Sequence, residues 1–361
     1  MRIQAVRSRA VSVPMERPIV SAVRTAEAVD LVLVDVETDE GLVGQSYLQA
    51  FGAHRARAVQ ALIADLAEVL VGEDPELTLR CWQRMWSSMN LLGRRGAAVF
   101  ALSGLDMAIW DIVGKRHGTP LARLLGAGSD EVPAYQSAGL WLLEPGDGLL
   151  ADVRTFVDQG FSAMKMRVGR PDGGKDLAAA RLVRDALGDQ ATLMIDANQG
   201  WTVDRAIRIG RALEAVNPFW LEEPIDHDDL GGHARIAREL AVPIASGENI
   251  YTVHGFRAFL EAEAADIVMP DIQRVGGVTG WMRVAALAEA WRLPVSTHLF
   301  PEISVHVLAA TPTAQWLEYM PWAQPLMAEP LVARDGIVRV PPRPGLGLVF
   351  DEAAVRRYAL D

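Results

Sequence analysis

The rhythm of apolar and polar positions changes twice along this chain. Up to about residue 55 the two classes alternate over 3–13 and 31–37, the period of half-buried strands, and Asp39-Glu-Gly41 supplies a turn between strands. Between about 55 and 125 the apolar residues fall at helical spacing, over 56–71 and 97–113. From residue 132 a unit repeats: a short apolar strand, then an amphipathic helix. Its strand candidates are 132–137, 162–168, 191–196, 219–223, 244–248, 266–271, 295–299 and 316–319. Parallel neighbours need crossovers, so this pattern predicts a closed parallel α/β barrel, preceded by a separate α+β block. An open doubly wound sheet is the alternative, but no Gly-x-Gly-x-x-Gly follows the first strand.

The strand ends sharpen the prediction. They carry Lys165, Asp196, Glu222, Glu248, Asp271, His298 and Glu318, separated by 31, 26, 26, 23, 27 and 20 residues, each about one strand-helix unit. In a closed barrel all seven side chains emerge on the C-terminal rim and point at one place. A single acidic residue after a strand could simply cap the next helix. Seven polar residues in phase, with a lysine and a histidine among them, are not explained by capping.

Composition removes other classes. Net charge is −11, and the 35 basic residues comprise 32 arginines and the three lysines Lys115, Lys165 and Lys175, with no basic stripe to displace counterions from nucleic acid. The single cysteine, Cys81, allows neither an internal disulfide nor a thiolate metal site. No signal-like h-region opens the chain and no run of 18 apolar residues occurs, so no membrane role and a cytoplasmic location are expected.

Chemistry follows from the rim residues. Asp196, Glu222 and Glu248 end three successive strands and form an arc of like charges that ionises together only around a cation; three hard oxygens select Mg2+, with Mn2+ able to substitute. Asp271 and His298 end neighbouring strands, where a carboxylate on one imidazole nitrogen leaves the other free for proton transfer. Lys165 and Arg167, two residues apart on one strand, project to the same side, across the mouth from His298. A carboxylic acid held between these walls has its α-carbon flanked by bases, and a divalent ion with an ammonium can stabilise the enediolate formed by α-proton loss.

These motifs resemble the mandelate racemase subgroup of the enolase superfamily, essentially end to end: Gly44-Gln-Ser-Tyr-Leu48, Met194-Ile-Asp-Ala-Asn198, Trp220-Leu-Glu-Glu-Pro224, Ser246-Gly-Glu-Asn249, Met269-Pro-Asp271, Gly276-Gly-Val-Thr-Gly280, Ser296-Thr-His-Leu-Phe300, Ala309-Ala-Thr-Pro-Thr313 and Trp316-Leu-Glu-Tyr319. The resemblance implies an α+β capping domain (1–128), a modified (β/α)7β TIM barrel (129–325) with one hairpin-like crossover near its start, and a C-terminal segment (326–361) that returns to the cap. It implies Mg2+ on Asp196, Glu222 and Glu248, a His298–Asp271 base, and Lys165 against the metal-bound carboxylate. Glu318 is implied as a hydrogen-bonding electrophile, and a dimer or octamer as the assembly. Candidate substrate contacts are Arg24, Gln49, Phe51, Ser137 and Asn198, with Trp141 and Trp201 in neighbouring loops.

The chain departs from that pattern at Arg167, where the racemase has a second lysine acting as the second base. A guanidinium stays protonated under ordinary conditions, so Arg167 suits a clamp better than a base. Racemisation needs a competent group on each face; one base suits dehydration of an acid sugar. The polar Arg24 and Gln49, in a flap that is apolar in the racemase, point the same way. The leading expectation is therefore an aldonate or aldarate dehydratase giving a 2-keto-3-deoxy acid. A 2-hydroxy-acid racemase or epimerase is the runner-up, and a catalytically silent ligand-binding paralogue is a third reading.

Overall fold

The computed structural model describes residues 1–360. The chain opens with three strands, β1 (Ile3–Val20), β2 (Thr25–Thr38) and β3 (Val43–Gln49), in an antiparallel sheet of order β1-β2-β3. Leu31 to Val34 in β2 are all buried, so the middle strand is covered on both faces. The β1–β2 pairing continues to Val20↔Thr25, which leaves residues 21–24 as a hairpin tip. Four helices follow, α1 (Ala53–Ala67), α2 (Thr78–Ser88), α3 (Ala97–Arg116) and α4 (Leu121–Leu124). By length and composition α3 could cross a membrane, yet 78% of its most apolar window is buried inside the protein. A helix apolar all round is what a domain core demands.

The barrel strands are β4 (Glu131–Gln136), β5 (Ala163–Arg167), β6 (Thr192–Asp196), β7 (Leu221–Glu222), β8 (Ile244–Ser246) and β9 (Ile267–Val268), paired in that order and parallel. A seventh position, residues 295–298, is held by the parallel bridges Val268↔Val295 and Asp271↔His298. The eighth strand, β10 (Leu317–Tyr319), pairs parallel with β4 and closes the ring. Helices α5 (Asp147–Asp158), α6 (Gly174–Leu187), α7 (Val203–Leu213), α8 (Leu230–Glu239) and α9 (Thr252–Glu261) form the first five crossovers. The short α10 (Ile272–Val275) with α11 (Gly277–Ala290), then α12 (Pro301–Ala309), complete seven. Below the mouth, Tyr135, Ala163, Met194, Trp220, Ala245, Ile267 and Met269 fill the barrel as a separate apolar layer, so it is a packed core and not a pore.

Among the described residues there is no hairpin-like crossover of the kind the resemblance implies: each of the seven crossovers carries a helix. The antiparallel irregularity comes from the C-terminal segment, where β11 (Ala333–Arg334) and β12 (Ile337–Arg339) form a hairpin whose second strand pairs with Glu131–Pro133 of β4. β5 consequently meets β4 only at Gln136↔Met164. After α13 (Glu352–Arg357) the chain lies beside β1, with Ser12 N–H donating to Tyr358 O and Leu360 N–H to Ala10 O.

The cap is fastened to the segment that follows Asp271. Ser103 Oγ of α3 donates to Gln273 O at 2.7 Å, Gln49 N–H to Gln273 Oε1 at 2.7 Å, and Trp82 Nε1 to Gly276 O at 2.9 Å. Asp106 of α3 accepts from Thr279 N–H and Oγ1 at 2.9 and 2.7 Å. Gly277 makes that approach feasible: its φ is +74°, and a Cβ there would sit 2.5 Å from Asp106 Oδ2. The Gly276-Gly-Val-Thr-Gly280 motif is thus a docking device between the two domains.

Candidate active site

Lys165 and Arg167 at the end of β5 both line a cavity of about 220 Å³ in the barrel mouth. The Lys165 ammonium lies 2.6 Å from Glu222 Oε1, 2.9 Å from Glu318 Oε1 and 3.5 Å from Asp196 Oδ2. Burial works against its charge, but these carboxylates outweigh burial and raise its pKa well above the ordinary lysine value. Arg167 is held differently. Its NH1 donates to the carbonyls of Ser137 (2.6 Å) and Gly139 (3.2 Å), its NH2 to Ser137 Oγ (2.8 Å), and the guanidinium lies 4.6 Å from the centre of the Trp141 ring. Asp196 and Glu318 approach it only to 3.8 and 3.9 Å.

Asp196 and Glu222 end β6 and β7, and Glu248 follows β8. Asp196 accepts from the backbone and side-chain N–H groups of Asn198 at 2.8 and 3.0 Å, and Glu222 Oε2 from Trp220 Nε1 at 2.9 Å. Burial pushes the Glu222 carboxyl up to about 8; Lys165 opposes this while Asp196 and Glu248 add to it. One ammonium does not neutralise the arc. Hard oxygens in charge excess, from three neighbouring strands, with the buried Oδ1 of Asn198 left without a partner, fit a divalent cation such as Mg2+.

His298 Nδ1 lies 2.7 Å from Asp271 Oδ2, and its Nε2 is 3.4 Å from Glu248 Oε2. Burial lowers the imidazole pKa, but Glu248 and Asp271 outweigh burial and bring it up to about 8. Asp271 is further fixed by Arg274, whose NH1 donates to Oδ2 at 2.8 Å and whose backbone N–H donates to Oδ1 at 3.0 Å. Arg274 in turn lies over the rings of Phe51 (5.2 Å) and Phe100 (5.7 Å) from the cap.

Glu318 accepts from Ser137 Oγ (2.7 Å) and Leu299 N–H (2.8 Å) besides Lys165. Burial favours its neutral form, yet Lys165, His298 and Arg167 together hold it down to about 2. In this arrangement the Glu318 oxygens accept from Ser137, Leu299 and Lys165, so its contacts here are those of an acceptor.

Arg24, Gln49, Phe51 and Asn198 line the cavity together with Lys165, Arg167, Asp196, Glu248, His298 and Glu318. Glu222 and Asp271 lie buried behind them. Two expectations need correction. Ser137, expected at the substrate, does not line the cavity: it is fully buried, its oxygens engaged by Arg167 and Glu318. Trp201 is turned away, its Nε1 donating to Arg170 O.

Sequence reasoning missed Glu223 and Arg274, both in the cavity wall. The Trp220-Leu-Glu-Glu-Pro224 motif contains Glu223, but the strand end is read at Glu222, and in a regular strand the next residue alternates to the opposite side. Its left-handed backbone, φ +37°, ends that alternation, and Asn249 Nδ2 (3.0 and 3.1 Å) and Gln199 Nε2 (2.8 Å) hold its carboxylate. Two larger clefts, about 660 and 720 Å³, lie elsewhere. Their charges form ion pairs such as Arg339–Glu131 and Arg17–Asp152, so chemistry and not volume identifies the site.

Comparison with known proteins agrees. Residues 3–126 match the mandelate racemase/muconate lactonizing enzyme N-terminal domain, and residues 148–354 the enolase C-terminal domain-like family. The chain is 39% identical over 333 residues to 3,6-anhydro-α-L-galactonate cycloisomerase of Streptomyces coelicolor, covering 92% of each. It is 37% identical over 330 residues to L-talarate/galactarate dehydratase of Salmonella typhimurium, covering 91% of this chain and 82% of that one. An enolase from Bradyrhizobium, crystallised with magnesium and mandelic acid, superposes with a TM-score of 0.95 at 38% identity, covering 100% and 99% of the two chains. An L-talarate/galactarate dehydratase, crystallised as a lysine-to-alanine variant with Mg and L-glucarate, gives 0.93 at 35% identity, covering 100% and 92%. With both of its domains matched and its fold shared along its whole length, the chain belongs to the mandelate racemase/muconate lactonizing enzyme family of the enolase superfamily.

Proposed function

We propose that this protein is a Mg2+-dependent hydro-lyase that removes water from an acid sugar to give a 2-keto-3-deoxy acid. The observation that carries this reading is the immobilised Arg167: three hydrogen bonds and a Trp141 stack hold a guanidinium where a two-base enzyme needs a titrating group. Its relatives include dehydratases of galactarate, arabinonate and galactonate.

Asp196, Glu222 and Glu248 would hold the Mg2+ ion, which when bound would supply positive charge for the substrate carboxylate and so acidify the α-carbon. His298 takes the α-proton on Nε2, because Asp271 occupies Nδ1 and fixes the tautomer. The same imidazolium then returns that proton to the β-hydroxyl as its C–O bond breaks. Water leaves, and the remaining enol tautomerises to the 2-keto acid, so atoms and charge balance. Lys165 stays an ammonium and stabilises the charge that builds on the carboxylate. Arg167 binds and orients, and Glu318 holds Lys165 and Ser137 in place.

The test is incubation with an acid-sugar library and Mg2+, read by keto-acid formation. Inactivity toward every such acid, with clean α-deuterium exchange on an aryl hydroxy acid, would sink the proposal and favour the racemase. The cycloisomerase relative supports a second reading, in which a ring ether and not a hydroxyl leaves the β-carbon. Mass spectrometry separates them: dehydration lowers product mass by one water and isomerisation leaves it unchanged. The proposal also takes the protein to be a cytoplasmic homo-oligomer, to be checked by light scattering.

A further inference from the structure

Of the cations that line the cavity, only one has no partner on the protein among the described residues. Lys165 is paired with Glu222 and Glu318, Arg167 with two carbonyls, and Arg274 and His298 with Asp271. The Arg24 guanidinium makes no hydrogen bond or ion pair and touches only the Phe51 ring, 5.6 Å from its centre. Its backbone, by contrast, is fixed. Ser21 N–H donates to Arg24 O at 2.9 Å and Arg24 N–H to Ser21 Oγ at 3.2 Å, closing the hairpin tip. Leu142 N–H, donating to Val20 O at 2.9 Å, ties that hairpin to the loop carrying Trp141.

Burial lowers the Arg24 pKa, with only Asp30 offsetting it and Arg55 adding to it. A positioned, half-buried guanidinium with open donors facing a cavity is a receptor for a planar anion, and a carboxylate matches its fork. The Lys165 end of the cavity already takes one carboxylate in the proposed reaction.

Building on the dehydratase reading, we infer that Arg24 receives a second carboxylate at the far end of the substrate, which makes the preferred substrate class aldarates and not aldonates. The known relatives include both kinds, a talarate/galactarate dehydratase and several aldonate dehydratases, so membership of the family does not settle the choice.

The experiment compares stereoisomeric hexarates with the corresponding hexonates on the full chain with Mg2+, by keto-acid formation and by calorimetric binding. Wild type should favour the diacids. Arg24→Met should cut that preference by about 10- to 100-fold, mainly through KM, the effect of losing a charge-assisted hydrogen-bonded pair, and Arg24→Lys should restore part of it. Wild type that handles hexonates as well as hexarates, or an Arg24→Met loss equal for both, overturns the assignment and leaves dehydration standing. Absence of keto acid from every substrate fails the dehydratase reading instead, and the binding arm then still decides the role of Arg24.

Discussion

Arg167 and Ser137 are locked to each other twice: one guanidinium nitrogen meets the Ser137 carbonyl at 2.6 Å and the other its hydroxyl at 2.8 Å. The hydroxyl in turn donates to Glu318. The residue in the second-base position is thereby built into the wall of the site, and its exchange has two separable effects. Arg167→Met strips donors from two buried carbonyls, each worth about 1–3 kcal/mol, and kcat/KM should fall about 10- to 100-fold, chiefly in KM. Arg167→Lys restores a titratable amine, and substrate incubated in D2O should then incorporate deuterium from the second face. NMR of recovered substrate reads both; rapid two-face exchange already present in wild type would remove the one-base assignment.

His298→Asn should reduce kcat by about 10²- to 10⁴-fold, the range of a lost general base, and abolish α-proton exchange. Magnesium should still raise the unfolding temperature of this variant, because Asp196, Glu222 and Glu248 are untouched. Retention of half the wild-type exchange rate would move the base elsewhere.

Asp271 Oδ2 is shared between His298 and Arg274, so removing the arginine leaves a buried carboxylate with an incomplete partner set. Arg274→Met should cost about 3–5 kcal/mol of stability, as for other buried pairs broken on one side. It should also slow turnover more than it raises KM, since it disturbs the orientation of the base. Urea denaturation and steady-state kinetics test this, with Arg274→Lys expected to recover part of both.

Chelation provides a test of the carboxylate arc. Wild type should lose activity in EDTA and recover it with Mg2+, and a concentration of a hundred times Kd should add about 2.7 kcal/mol of stability. Glu248→Gln should blunt the thermal response. Full activity in EDTA with no thermal response to Mg2+ contradicts the metal assignment.

His306, outside the site, sets a pH dependence. Its Nε2–H donates to Leu346 O at 3.1 Å and its Nδ1 accepts from Ala122 N–H at 3.3 Å, so the buried neutral ring is fully satisfied. Burial takes its pKa down to about 4, with Leu346 O opposing. The unfolded chain binds this proton near pH 6.5 and the folded chain only near 4. The associated stability is therefore complete above about 6.5 and is lost as pH falls toward 4, by about 3 kcal/mol in all. In urea titrations across this range, His306→Gln should show a shallower decline than wild type; parallel curves would refute the assignment.

Much of the site was legible before any coordinates. Lys165, Asp196, Glu248, His298 and Glu318 do meet at one cavity, with Glu222 and Asp271 just behind. A parallel barrel converts a one-dimensional spacing into a common rim, so the period of the repeat is enough to gather them. The misses have a different character. Glu223 reaches the cavity because a left-handed residue breaks strand alternation, and Ser137 is consumed by Arg167 and Glu318. Neither fact leaves a trace in hydrophobic periodicity.

The sequence alone determined the barrel and the identity of its rim residues, because each depends only on residue type and its place in a repeating unit; the oddity of an arginine at position 167 came from comparing those residues with the pattern of the family they resemble. Tertiary structure decided the pairings: Lys165 neutralised by carboxylates, Arg167 clamped to the 137–139 loop, Arg274 braced between Asp271 and the cap, and Arg24 without a partner. Those outcomes rest on distances between segments tens to hundreds of residues apart and on backbone turns that do not repeat. Only the folded chain brings them within hydrogen-bonding range.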